Sequence, residues 1–164
     1  MTDLNKLYSP IFLSEKEIKK LIELLFFSYR DFTMEADLIL EKFQFGRAHH
    51  RIIYFVGKKE KITIKELLLI LKITKQSLSR VLNQLVKNKY VNLSTGSDKR
   101  TKNLSLTKKG LELEKKLSDI QIKRIKKIIS NVDEKNMNSF KNILYSLCDE
   151  ESKKKFNELN KTND

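Results

Sequence analysis

The chain has 164 residues, enough for one domain or one compact subunit that needs neither metal nor disulfide to hold its core. Its single cysteine, Cys148, excludes an internal disulfide and any cysteine-clustered zinc or iron–sulfur site, and one Pro with four Gly argues against an all-β fold. The net charge of +13 points to polyanions. That charge is localised. Residues 58–130 carry 20 Lys and Arg against 6 Asp and Glu, whereas 1–57 carry 8 of each and 131–164 carry 6 against 7. A basic module between balanced flanks is the pattern of one part that meets nucleic acid and others with a different task. A general lysine bias would have raised the flanks as well. The longest apolar runs, such as Leu67-Leu68-Leu69-Ile70-Leu71, fall far short of the ~20 residues of a membrane span. Asp3 sits where a signal peptide needs positive charge, so a cytoplasmic protein is expected.

In chain order, residues 1–13 read as an irregular arm. Ser14 and Glu17 form a Ser-x-x-Glu capping box, which predicts a helix over 14–29 with Ile18, Leu21, Ile22, Leu25, Phe26 and Tyr29 stepping by three and four. A second helix is predicted over 34–56, apolar on most of its circumference and therefore central, with Gly57 as its stop. A short Ile62-Thr63-Ile64 segment leads to a short helix over 65–71, and Thr74 is placed to cap a helix running to about 88. Val91-Asn92-Leu93 and Leu104-Ser105-Leu106 alternate with period two around the polar loop 94–103, which predicts a β-hairpin. Thr107 caps a long helix to about 132, Asp133 caps a last one, and the tail from Cys148 is expected to fray.

Short helix, turn, helix and two-stranded hairpin is the order of a winged helix-turn-helix. The fold class expected is mainly α with a small β-hairpin, a winged helix-turn-helix beside all-helical flanks. On the 75–88 helix, Leu78, Val81, Leu82, Leu85 and Val86 fall within one arc of about 140° at 100° per residue. Gln76, Arg80, Asn83 and Lys87 lie opposite. Arg suits guanine, Gln and Asn suit adenine, and Lys suits phosphate. Lys75, Ser77 and Ser79 cluster at the helix start, where the dipole also favours an anion. No carboxylate occurs between Glu66 and Asp98, unlike an ordinary solvated face. At the hairpin tip, Asp98, Lys99, Arg100 and Lys102 place basic side chains where a narrow minor groove admits them, and Asp98 is expected to orient the Arg100 guanidinium.

The run from Leu78 to Val91, the tip Asp98-Lys99-Arg100, and Leu104-Ser105-Leu106-Thr107-Lys108-Lys109-Gly110 together resemble the MarR family of transcriptional regulators. The likeness spans about residues 35–147. Asn88-Lys89-Tyr90 stands where that family often has a glycine, and the N-terminal arm is long. The resemblance implies a homodimer whose first, fifth and sixth helices form the dimerisation region. Residues 1–34 would then be arm and dimerisation helix, 35–110 the DNA-binding domain, and 111–164 the C-terminal dimerisation helices and tail. It also implies a repressor of duplex DNA, acting on a pseudo-palindromic operator, with a small-molecule effector in some members.

For an effector pocket the candidates are Arg47, His49, His50 and Arg51, although a satisfied core histidine is the simpler reading of His49. No cofactor, metal or catalytic constellation is expected: the two histidines are adjacent, and no HExxH or Gly-x-Ser-x-Gly occurs. Cys148, beside Asp149, Glu150 and Glu151, lacks the cationic surroundings of a redox-sensing thiolate. Two other functions fit the same residues. One is a winged helix that docks on the transcription machinery through its basic face. The other is an architectural protein that coats DNA without sequence preference.

Overall fold

A computed structural model describes residues 13–96, 98 and 100–161. It divides into two compact units, residues 1–34 and 35–164, with the boundary inside the first helix. That helix, α1, runs Glu15–Glu41. The expected capping box closes it: Glu17 Oε2 accepts the Ser14 N–H at 2.9 Å, and Ser14 Oγ accepts the Glu17 N–H at 3.3 Å.

The expected break at 30–33 does not occur. Arg30, Asp31, Phe32 and Thr33 contain neither Gly nor Pro, and the Thr33 hydroxyl bonds back to the Tyr29 and Arg30 carbonyls within the helix. The chain turns instead after Glu41, where Gln44 adopts φ 57°. Helix α2 then spans only Arg47–Lys58, so the expected 34–56 helix is really the end of α1 plus α2. Gly57 does not stop it. A side chain there would meet Leu106 Cδ1 at 3.0 Å and Glu114 Cγ at 3.2 Å, so Gly57 lets β3 and the fifth helix approach.

Strand β1 (Ile62–Thr63), helix α3 (Ile64–Leu71) and helix α4 (Lys75–Lys87) follow, then β2 (Val91–Thr95) and β3 (Lys102–Leu106). The hairpin pairs Val91 with Leu106 and Thr95 with Lys102. β1 adds on the other side of β3, pairing Ile62 with Leu104, so the sheet has a third strand that the Ile62-Thr63-Ile64 segment only hinted at. Helix α5 (Lys108–Ile129) is capped by Thr107, and α6 (Glu134–Ser146) by Asp133, both as expected. The tail does not fray at Cys148: Asp149 caps a further helix, α7 (Glu150–Leu159), by accepting the Ser152 N–H at 2.8 Å. An Asp followed by Glu150 and Glu151 is a start signal of the kind that complements the helix dipole.

The core lies among the C-terminal end of α1, where Ala36, Ile39 and Leu40 are buried, α2, α3, α4, α5 and the sheet. Leu40, Ile52, Ile53, Ile62, Leu67, Leu78, Leu85, Leu104 and Leu117 are its largest fully buried side chains apart from two valines. Burying each such side chain contributes roughly 1.5–3 kcal/mol before entropy is counted. At the foot of the hairpin, hydrogen bonds tie the start of the next helix to the strand. Thr107 Oγ1 donates to the Lys89 carbonyl at 2.7 Å and accepts the Gly110 N–H at 3.0 Å, while its backbone N–H donates to the Tyr90 carbonyl at 3.0 Å.

Candidate nucleic-acid interface

Helix α4 has one dry face and one wet one. Leu78, Val81, Leu82 and Leu85 are buried and Val86 is half-buried, while Lys75, Gln76, Ser77, Ser79, Arg80, Asn83 and Lys87 are exposed. Thr74 Oγ1 accepts the Ser77 N–H at 3.2 Å and its hydroxyl reaches Ser77 Oγ at 2.9 Å, which fixes the helix start. The buried stripe thus determines which way Gln76, Arg80 and Asn83 point. Among the described residues neither Arg80 nor Lys87 enters an ion pair. Their charges face solvent.

The hairpin carries the second group. Its tip is closed by the Gly96 N–H on the Thr101 carbonyl and the Thr101 N–H on the Asp98 carbonyl, both at 2.8 Å. Asp98 Oδ1 accepts the backbone N–H of Arg100 at 2.9 Å. This corrects the expectation that Asp98 orients the Arg100 guanidinium: the carboxylate braces the loop backbone, as an Asp two residues ahead of its partner commonly does. Arg100 is exposed, and Lys102 Nζ donates across the hairpin to Thr95 Oγ1 at 3.0 Å. Lys99 lies outside the described residues. Leu93, between Asn92 and Ser94 on the first strand, is 46% exposed on the hairpin surface.

The four residues named for an effector pocket are largely engaged by the fold. Arg47 donates to Asp37 Oδ2 at 2.8 Å, tying the start of α2 to the end of α1. His49 and His50 are buried, and Arg51 is exposed. Burial pushes the His50 imidazole below its ordinary range; Asp37 and Glu114 oppose that shift and Arg51 adds to it. Among the described residues no group of three or more His, Cys, Asp or Glu is placed to hold a metal.

Three features escaped the sequence reading. Thr63 and Glu66 form a second capping box at α3, with the Thr63 N–H and hydroxyl both 2.8 Å from Glu66 Oε2. Burial would raise the Glu66 carboxyl, but hydrogen bonds from Lys59 and Thr63 outweigh it and hold it at about 2. The Thr-x-x-Glu spacing was available as a signal. Lys72, in the turn between α3 and α4 with φ 50°, reaches Asp149 Oδ2 at 2.6 Å and Glu151 Oε2 at 3.5 Å. That lysine, with the Ser152 N–H, holds the Asp149 carboxyl well below the usual range. No local signal announces a contact across 77 residues. Gln84, on the margin of α4, reaches His49 of α2 at 2.9 Å.

Among the described residues, no helix is long and apolar enough to cross a membrane. A sequence model of the MarR family matches residues 43–101, which hold α2 to α4, β2 and the loop that follows it. The chain is 38% identical over 140 residues to the HTH-type transcriptional regulator PetP of Rhodobacter capsulatus, covering 85% of this chain and 84% of that one. Its fold is similar to that of a MarR protein from Peptoclostridium difficile (TM-score 0.68, 20% identity, 93% of this chain and 97% of that chain). It is likewise similar to FabT of Streptococcus pneumoniae, whose crystal structure is a complex with DNA (TM-score 0.70, 21% identity, 79% and 94%).

Proposed function

The chain belongs to the MarR family, and from that premise we propose that it is a cytoplasmic, sequence-specific repressor that binds a pseudo-palindromic duplex as a homodimer. Membership places it among transcriptional regulators, not enzymes. One observation carries the reading. A helix locked into the core by Leu78, Val81, Leu82 and Leu85 turns Gln76, Arg80, Asn83 and Lys87 outward, and no acid lies between Glu66 and Asp98. Gln76, Arg80 and Asn83 read base edges in the major groove, and Lys75, Ser77, Ser79 and Lys87 hold its phosphates. Arg100 enters the minor groove from a tip braced by Asp98, with Lys99 and Lys102 on the adjoining backbone.

The flanking helices support the dimer. Ile22 and Phe26 of α1, Ile128 of α5, and Ile143 and Leu147 of α6 are each 60–64% exposed, together too much large apolar surface for a soluble monomer to leave wet. A second copy covers these faces and sets two α4 helices about one DNA turn apart, ~34 Å. Residues 1–34 and 111–164 then serve dimerisation, and 35–110 serve DNA.

Selection of random duplexes on the purified protein, followed by salt-dependent binding, tests the reading. An enriched pseudo-palindrome bound at least ~10³-fold more tightly than a scrambled duplex is expected. Equal, steeply salt-dependent binding to both would leave only an architectural protein. No binding would turn attention to an acidic protein partner.

A further inference from the structure

Helix α4 is packed against its own domain by apolar side chains, and apolar packing is not directional. One hydrogen-bonded bridge is. The Gly46 N–H donates to His49 Nδ1 at 3.1 Å, so that nitrogen carries no proton and Nε2 is the ring's donor. Nε2 therefore donates to Gln84 Oε1 at 2.9 Å, and Gln84 Nε2 donates onward to the Gln44 carbonyl at 3.3 Å. The ring is buried and stacks on Phe45 at 4.6 Å and 12°, so it has a single orientation. Gln84 follows Asn83 and lies one helical turn beyond Arg80.

The geometry points to His49 and Gln84 as positioning residues for base reading: they pin α4 to α2 so that Arg80 and Asn83 meet base edges in register. The inference rests on the proposed DNA-binding role of α4. Bidentate contacts to bases fail when a helix slides or rotates by a fraction of an ångström, whereas phosphate attraction tolerates it. The pin thus governs discrimination more than bulk affinity. The groups set against the ring are neutral: the Gly46 amide, the Gln84 side chain, the Phe45 ring and, beyond Phe45, the ring of Tyr90. The charged and titratable groups nearest along the chain are Arg47, held by Asp37, then His50, which feels Asp37 and Glu114, and Arg51.

Binding of a duplex selected on the wild-type protein, against a scrambled duplex, tests the pin. Gln84→Ala and His49→Asn each remove the bridge, the latter keeping an acceptor for Gly46. Each should lose about tenfold on the selected duplex and little on the scrambled one. His49→Gln retains a donor toward Gln84 and should recover most of the loss. Equal losses on both duplexes, or wild-type binding by both bridge-removing variants, would each overturn the inference. The ring-nitrogen shifts of His49 in the free protein need no DNA. A neutral Nε2–H ring that loses its hydrogen-bond signature in Gln84→Ala supports the pin, and an Nδ1–H ring overturns it. Failure to enrich any duplex would strike the DNA-binding reading, while this measurement still decides the bridge.

Discussion

Gly110 has no room for one more carbon. A methyl group there would stand 2.1 Å from the Tyr90 carbonyl oxygen, which is backbone and cannot rotate away. Gly110→Ala should therefore lower stability by about 3 kcal/mol, read as a shift of the urea midpoint at unchanged slope. At the proposed interface the residues should divide by task. Arg80→Ala should cost roughly 1–3 kcal/mol on the selected duplex and relax one base position. Lys102→Ala should weaken all duplexes alike and reduce the salt slope by about one unit. If the two variants behaved identically on specific and scrambled DNA, the division between base reading and phosphate holding would be wrong. The residue types and exposure of the α4 face were legible, because helical periodicity places them without knowledge of the rest of the fold. The job of Asp98 was not: a carboxylate two residues from an Arg has both a side chain and a backbone N–H within reach, and spacing does not choose between them.

At the scale of the element, caps were the most readable signals. Ser14, Thr74, Thr107 and Asp133 all cap helices as their sequence neighbours require, since a cap is a contact within four residues. Breaks without Gly or Pro were less readable. α1 runs on through 30–33 because nothing local stops it, and it ends at a turn where Gln44 takes a positive φ and Phe45 is buried, a turn that no Gly or Pro announces. The Thr63–Glu66 box gives α3 its own signature in acid. Because the folded carboxyl sits near 2 and an unfolded one near 4.5, the contribution of Glu66 is complete above about pH 4.5 and disappears as the pH falls toward 2. Glu66→Ala should cost about 1 kcal/mol at neutral pH and nothing at the bottom of that window. Denaturant curves of the two proteins from pH 6 to 2 should converge.

For the whole molecule, segregation of charge was visible in a count, but the uncovered apolar faces needed coordinates. Periodicity marks Ile128 and Leu147 as apolar without saying what they touch; their exposure shows that the chain itself leaves them open. Ile128→Glu and Leu147→Glu together should move the sedimenting species from dimer to monomer. They should also reduce binding to a full pseudo-palindrome to that of a half-site. A variant that remained dimeric would place the interface elsewhere. The contact of Thr107 with Lys89 and Tyr90, and the bare Gly110 beside it, fuse the foot of the hairpin to the start of α5 without a compliant linker. Such a joint transmits rotation instead of absorbing it. A change in the angle between two subunits would swing each α5 together with its hairpin and α4 as one lever. In the proposed dimer, such a change would retune the distance between half-sites that it accepts and leave the bases preferred within each half-site as they were.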